Sequence, residues 1–142
     1  MTRIVAGSAK GRTLAVPKSG TRPTSERVRE ALFSRLDHMN VLDGATVLDL
    51  YAGTGALGLE ALSRGGTYAT LVEKASAAAR VASANVRSTG LPARVVTADA
   101  RSYLGARSGE ALAGDIDLVF IDPPYDIAED DMTTVLASLG PW

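Results

Sequence analysis

The stretch "DLYAGTGALGLEAL", residues 49–62, joins two segments of different periodicity. Upstream, "TVLDLY" (46–51) is a short apolar run of the kind that forms a buried strand. Downstream, "ALGLEALSRGG" (56–66) spaces its apolar residues as a helix does and ends on two glycines. Between them Gly53, Gly55 and Gly58 spell G-x-G-x-x-G. At a strand-to-helix turn, such glycines permit a tight bend and let the backbone approach a ligand. Glu73 comes twenty residues after Gly53, at the end of the next strand, where an acid can accept from ribose hydroxyls.

The alternation continues outward. "ATLVE" (69–73) reads as a strand, Ala75–Ser88 as an Ala-rich helix stopped near Gly90, and "RVVTA" (94–98) as a third strand. Residues 100–113 read as irregular or helical, "IDLVFI" (116–121) as a strand buried on both faces, and Asp130–Leu139 as a helix. Strand–helix alternation of this kind predicts an α/β fold with a parallel, doubly wound, Rossmann-like sheet. Nearer the N-terminus, Arg3–Ala6 and Arg12–Val16 flank "GSAKG" and predict a β-hairpin. After the connector "PKSGTRPTS" (17–25), Thr24 or Ser25 can cap a helix carrying Val28, Ala31, Leu32 and Leu36 at helical spacing.

A chain of 142 residues, 46% apolar and 22% charged, is expected to be one soluble globular domain with a single core. No apolar run approaches the roughly 18 residues of a membrane span, and "MTRIVAGSAK" lacks the features of a signal peptide. A cytoplasmic location without membrane contact is therefore expected, and a monomer is taken as the default. The absence of cysteine excludes disulfides and Cys-ligated zinc, and no metal is expected. His38, the only histidine, is expected at the surface or at a helix end. The net charge of −1 hides an asymmetry: residues 1–36 hold eight Lys/Arg against Glu26 and Glu30, and the remainder holds seven basic and fourteen acidic residues. A basic arm on an acidic body predicts a polyanionic partner for the arm.

Three successive strands end in acids: Asp49, Glu73 and Asp99. In open α/β sheets, ligands bind at that edge. Asp49, four residues before Gly53, discriminates among nucleotide ligands. Beside the pyrophosphate of NAD, its carboxylate would add repulsion of order 1 kcal/mol or more. Beside S-adenosylmethionine (SAM), which carries a sulfonium and an ammonium, the same acid is favourable. Asp99 is placed to accept from an adenine amino group, with the backbone of Ala100 against the ring.

The fourth strand runs into "DPPY" (122–125). An exocyclic amine on a nucleobase is a poor nucleophile, because its lone pair is delocalised into the ring. Acceptors beside its N–H bonds favour a more tetrahedral nitrogen and free the lone pair for a methyl group. Asp122, through its side chain, and the carbonyl of Pro123 can be those acceptors, held by the fixed φ of two prolines. Tyr125 offers a flat face on which an extruded base can stack. Methylation at C5 of a pyrimidine needs a thiolate, and this chain has none.

These segments resemble the bacterial 16S rRNA guanine-N2 methyltransferases, which modify guanine 966 of the small subunit. The resemblance rests on "DLYAGTGALGLEALSRG", "VEK", "ADA" and "FIDPPY", preceded by "RIVAGSAKGRTL" and "TRPTSERVREALFSRL". It implies a SAM-dependent enzyme whose partner is 16S rRNA, within a 30S subunit or an assembly intermediate. A basic hairpin and helix (1–40) would contact RNA and border the cofactor pocket, ahead of a methyltransferase core (41–142). Carried over by position, Asp49, Gly53, Gly55, Glu73, Asp99 and Ala100 would hold SAM. Asp122, Pro123 and Tyr125 would handle the base, and Arg3, Lys10, Arg12 and Arg22 would meet phosphates. The family's sheet has further strands after the helix that follows DPPY, so this sheet is expected to lack its later strands and the chain to fall short of full activity. Three other readings compete: an adenine-N6 DNA methyltransferase using the same DPPY chemistry, a NAD-dependent oxidoreductase, and a non-catalytic RNA-binding or assembly factor.

Overall fold

The computed structural model describes residues 2–16, 25–106, 116–124, 127 and 129–138. In chain order its elements are β1 (Thr2–Arg3), β2 (Thr13–Leu14), α1 (Glu26–His38), β3 (Thr46–Asp49), α2 (Ala56–Ser63), β4 (Tyr68–Glu73), α3 (Ser76–Thr89), β5 (Ala93–Thr97), α4 (Ala100–Gly105), β6 (Leu118–Phe120) and α5 (Glu129–Ser138). β1 and β2 pair as an antiparallel hairpin, and the parallel strands are ordered β5-β4-β3-β6. The chain steps from β3 to β5 in one direction and then returns to add β6 on the far side of β3. That reversal opens a crevice at the carboxyl end of β3, the place where open α/β sheets bind ligands. Register aligns the strand ends there: Asp49 lies beside both Leu71 and Phe120, and Glu73 beside Thr97.

Alternation along the strands sends successive side chains to opposite faces. Val47, Ala69 and Leu71 join a core with Leu59 of α2 and Phe33 of α1. Leu48 and Val72 join the opposite core with Leu104 of α4 and Val135 of α5. Helices therefore cover both faces, as in the expected doubly wound α/β fold. Gly58 permits the close approach of α2: a Cβ there would stand 2.3 Å from Leu71 Cδ2. Among the described residues no helix is long and apolar enough to cross a membrane.

Three expectations are corrected. The hairpin strands are two residues each, shorter than the runs 3–6 and 12–16. The helix cap falls on Ser25, whose hydroxyl accepts from the Val28 N–H at 3.2 Å, yet of the marked apolar residues only Leu36 packs against the core. Val28 is 57% exposed and Leu32 36%, whereas Arg29 and Phe33 are buried. Phe33 turns inward because it meets Phe120, ring centroids 5.5 Å apart. The strand expected to be buried on both faces is likewise only half-buried at Leu118 and Val119, since among the described strands β6 pairs with β3 alone.

The hairpin docks on the outside of α2 and α3 through polar groups that the helices keep buried. Glu60 is fully buried and accepts from the N–H groups of Val5 (2.9 Å) and Ala6 (3.1 Å). Ser63 Oγ accepts from the Ala9 N–H at 2.9 Å and donates to the Ala6 carbonyl at 2.6 Å. Asn85 of α3 accepts from the Ala15 N–H and donates to the carbonyls of Ala15 and Thr54. On the α1 side, the Arg29 guanidinium donates to Thr2 Oγ1 (3.0 Å) and to the Arg3 carbonyl (2.6 Å). Ile4, Ala9 and Leu14 add apolar burial to the same core as α2.

Candidate active site

Asp49, at the end of β3, is fully buried. One carboxylate oxygen accepts from the Gly58 N–H at 3.2 Å, while the other, Oδ1, is buried without a hydrogen-bond partner. Burial raises the carboxyl from its ordinary 3.8 to about 7, the backbone N–H groups of Gly58 and Tyr51 oppose the shift, and the charges of Asp122 and Glu73 add to it. Asp49 at the end of β3 thus feels the acids at the end of β4 and after β6.

This shift makes stability pH-dependent in a definite direction. The folded chain keeps a proton on Asp49 that the unfolded chain releases above about pH 4. The group's stabilisation is thus complete below about pH 4, declines as pH rises, and is lost through about pH 7, a total of about 4 kcal/mol at most. Asp49→Asn is expected to flatten this slope, so the wild-type minus variant difference in urea-unfolding free energy should fall between about pH 4.5 and 7.5. A constant difference would place the Asp49 proton elsewhere.

Glu73 is tied into the glycine loop. Its Oε1 accepts from the Gly53 N–H at 2.8 Å and its Oε2 from the Ala75 N–H at 2.7 Å. Each oxygen keeps a further lone pair for a hydroxyl donor, and the bonds fix the carboxylate at the loop. Gly53 has φ +56 and open space where a Cβ would stand, and Gly55, φ +86, begins α2. Asp99 caps α4 by accepting from the Ser102 N–H at 3.3 Å, and Ala100 beside it is buried. These six positions line one edge of the sheet. An orphaned buried oxygen on Asp49 and an open approach at Gly53 fit a cationic, nucleoside-bearing ligand.

Asp122 stands two residues past the end of β6 and is exposed. It lines a cleft of about 380 Å³ together with Val28, Leu32, Leu57, Phe120 and Ile121. The lining is thus one acid in an apolar wall, the composition that suits a flat base bearing an N–H donor. Pro123 is half-buried beside it. Tyr125 lies outside the described residues, as does Arg22.

Arg3, Lys10 and Arg12 are all exposed on the hairpin. Arg3 and Lys10 line one shallow cavity with Glu26, and Arg3 Nε lies 3.6 Å from Glu26 Oε1. An exposed pair at that distance contributes little to stability. Arg12 instead reaches the Ser88 carbonyl near the end of α3, at 3.4 Å.

Sequence reasoning missed the cleft wall formed by Val28, Leu32 and Leu57, and the buried ionic group behind it. Arg64 bridges Glu60 (2.9 Å) and Asp37 (2.7 Å) and lies over the Phe33 ring at 5.3 Å. Desolvation lowers the Arg29 pKa, partly offset by the charges of Glu60 and Glu26. The available signal was a charged residue in an otherwise apolar helical stripe, Glu60 in "ALGLEALS".

The profile of the family described as "Conserved hypothetical protein 95" matches residues 2–140. The chain is 43% identical over 125 residues to the Ribosomal RNA small subunit methyltransferase D of Escherichia coli (strain K12), covering 87% of this chain and 60% of that protein. The Haemophilus influenzae protein of the same name is 35% identical over 127 residues, covering 87% and 63%. The chain therefore spans under two thirds of the length of these relatives. The solved structure of a hypothetical protein from Thermus thermophilus superposes with a TM-score of 0.82 at 38% identity, covering 97% of this chain and 78% of that one.

Proposed function

The chain belongs to the Conserved hypothetical protein 95 family, and from that premise we propose that it transfers a methyl group from SAM to the exocyclic N2 amine of a guanine in small-subunit rRNA. The observation that carries this reading is the pairing of two acids at the switch point: Asp49, buried with an orphaned oxygen, and Asp122, exposed in an apolar cleft. The first suits a cationic cofactor, the second an amine donor. SAM supplies an electrophilic methyl group when bound. Asp49 and the glycine loop would hold its charged end, Glu73 its ribose hydroxyls, and Asp99 with the Ala100 backbone its adenine.

The remaining chemistry belongs to the chain's own groups. The guanine enters the cleft between α1 and the end of β6, where Val28, Leu32 and Leu57 exclude water from its faces and Tyr125 stacks on it. Asp122 and the Pro123 carbonyl accept the amine N–H bonds, so the nitrogen lone pair points at the methyl donor rather than into the ring. The proton lost from nitrogen leaves by way of Asp122 to solvent. In this reading residues 1–40 serve the RNA, with Arg3, Lys10, Arg12 and Arg22 on phosphates, and residues 41–142 serve the cofactor. The partner is 16S rRNA in a 30S subunit or assembly intermediate, and the chain acts as a monomer.

The test is label transfer from methyl-tritiated SAM to naked 16S rRNA, 30S subunits and duplex DNA in parallel, with the methylated nucleoside identified after digestion. N2-methylguanosine from an RNA sample is the expected product. N6-methyladenine from DNA would overturn the substrate while keeping the chemistry. SAM and RNA binding without label, also in a chain of the relatives' full length, would favour a non-catalytic RNA-binding factor.

A further inference from the structure

The hairpin and α3 are joined by side-chain hydrogen bonds, and the charges these two segments carry are all of one sign. Residues 2–16 contain Arg3, Lys10 and Arg12 and no acid; Ser76–Thr89 contains Arg80 and Arg87 and no acid. All five side chains are exposed. This is unusual in a chain whose net charge is −1. Helical geometry aligns the two arginines of α3: seven residues is almost two full turns, so Arg80 and Arg87 project in nearly the same direction. They oppose the buried stripe of Ala78, Ala82 and Asn85, which faces the sheet and hairpin. Arg80 and Arg87 are therefore the outermost groups of α3.

The two elements are held together directly. Asn85 holds Ala15 through its side-chain amide, the oxygen accepting and the nitrogen donating, and Arg12 reaches the carbonyl of Ser88, the residue after Arg87. Arg3 and Lys10 share their cavity with Glu26, whereas Arg12, Arg80 and Arg87 lie on two joined segments that contain no acid, and such a row matches a repeating line of phosphates better than any single anion. None of them lines the cleft at the end of β6.

We propose that the hairpin and α3 together form a continuous track for the RNA backbone, in which Arg80 and Arg87 each neutralise a phosphate beyond those met by the hairpin. The inference rests on the RNA reading above and extends its footprint to a helix that the sequence motifs leave unassigned. Backbone contacts of this kind position the RNA without reading its sequence, leaving base selection to the Asp122 cleft.

The experiment compares wild type, Arg12→Gln and the double variant Arg80→Gln/Arg87→Gln for binding to a labelled fragment of small-subunit rRNA across roughly 50–300 mM KCl. The double variant is expected to bind roughly tenfold more weakly at about 150 mM salt and to reduce the slope of log Kd against log salt by about 1.5. Its melting temperature and SAM affinity are expected to match wild type, since both arginines are exposed. An unchanged slope in the double variant, with Arg12→Gln reducing it, would overturn the α3 track alone. A wild type that binds RNA without salt dependence would overturn the RNA reading and this inference together.

Discussion

Asp122→Ala is expected to lower the single-turnover rate of methyl transfer to RNA roughly a hundred- to a thousandfold, the loss typical of removing one preorganised polar group from a reacting centre. SAM and RNA affinities are expected to change by no more than a few-fold. The side chain is exposed and supplies no core packing, so folding should be unaffected. One effect runs the other way: Asp122 raises the Asp49 carboxyl, so its removal should lower that pKa and raise stability slightly above about pH 7. Asp122→Asn separates the acceptor from the charge, because it keeps the side-chain volume and one acceptor oxygen but removes the negative charge. It is expected to be impaired less than Asp122→Ala. Near wild-type transfer in Asp122→Ala would move the essential acceptor to the Pro123 carbonyl and leave Asp122 as an electrostatic neighbour of Asp49.

Gly7→Ala is expected to be the most damaging small substitution in the hairpin. Gly7 has φ +89, where a Cβ would stand 1.8 Å from the Ser63 carbonyl oxygen, and a left-handed backbone costs an L residue about 1 kcal/mol or more. That oxygen already accepts from the Ser8 N–H at 2.7 Å, so it cannot retreat without breaking the bond. Either the hairpin lifts from α2 or the end of α2 distorts. Lifting would also loosen the bonds to Ser63 Oγ and Glu60, and would leave the buried Glu60 carboxylate short of two donors. A loss of about 3 kcal/mol in urea-unfolding free energy is expected, together with weaker RNA binding. Gly11→Ala is the control: its φ is +84 but its Cβ would meet nothing within 4 Å, so only the smaller conformational cost should appear. Equal losses at the two positions would show that backbone conformation, not the contact with Ser63, makes Gly7 necessary.

Much of the site was legible in the sequence because its constraints are local. A glycine needed for a positive φ, as at Gly53 and Gly55, is visible as a glycine. An acid at a strand end is visible once the strand is. Hence Asp49, Glu73, Asp99 and Asp122 could be assigned to one sheet edge. Their individual states could not. Glu73 holds two backbone N–H groups and Asp99 caps a helix, both consequences of how the following loops turn. Asp49 and Asp122 look alike as letters, yet one is fully buried with an orphaned oxygen and the other is exposed in a cleft. α1 carried the most misleading signal: its apolar stripe at Val28 and Leu32 lines the cleft, and the buried positions include an arginine.

The alternating fold, the glycine turn, the acids at the strand ends and the basic N-terminal arm are all local patterns, because periodicity, φ preference and charge act over a few residues. Packing across the chain settles which acid loses its solvent, that Arg29 and Glu60 bind the hairpin from within, and that Arg12 of the hairpin reaches the end of α3. Those outcomes depend on contacts between residues up to 76 apart in the chain, such as Arg12 with Ser88. Desolvation is a property of everything packed around a group, and no local pattern encodes it.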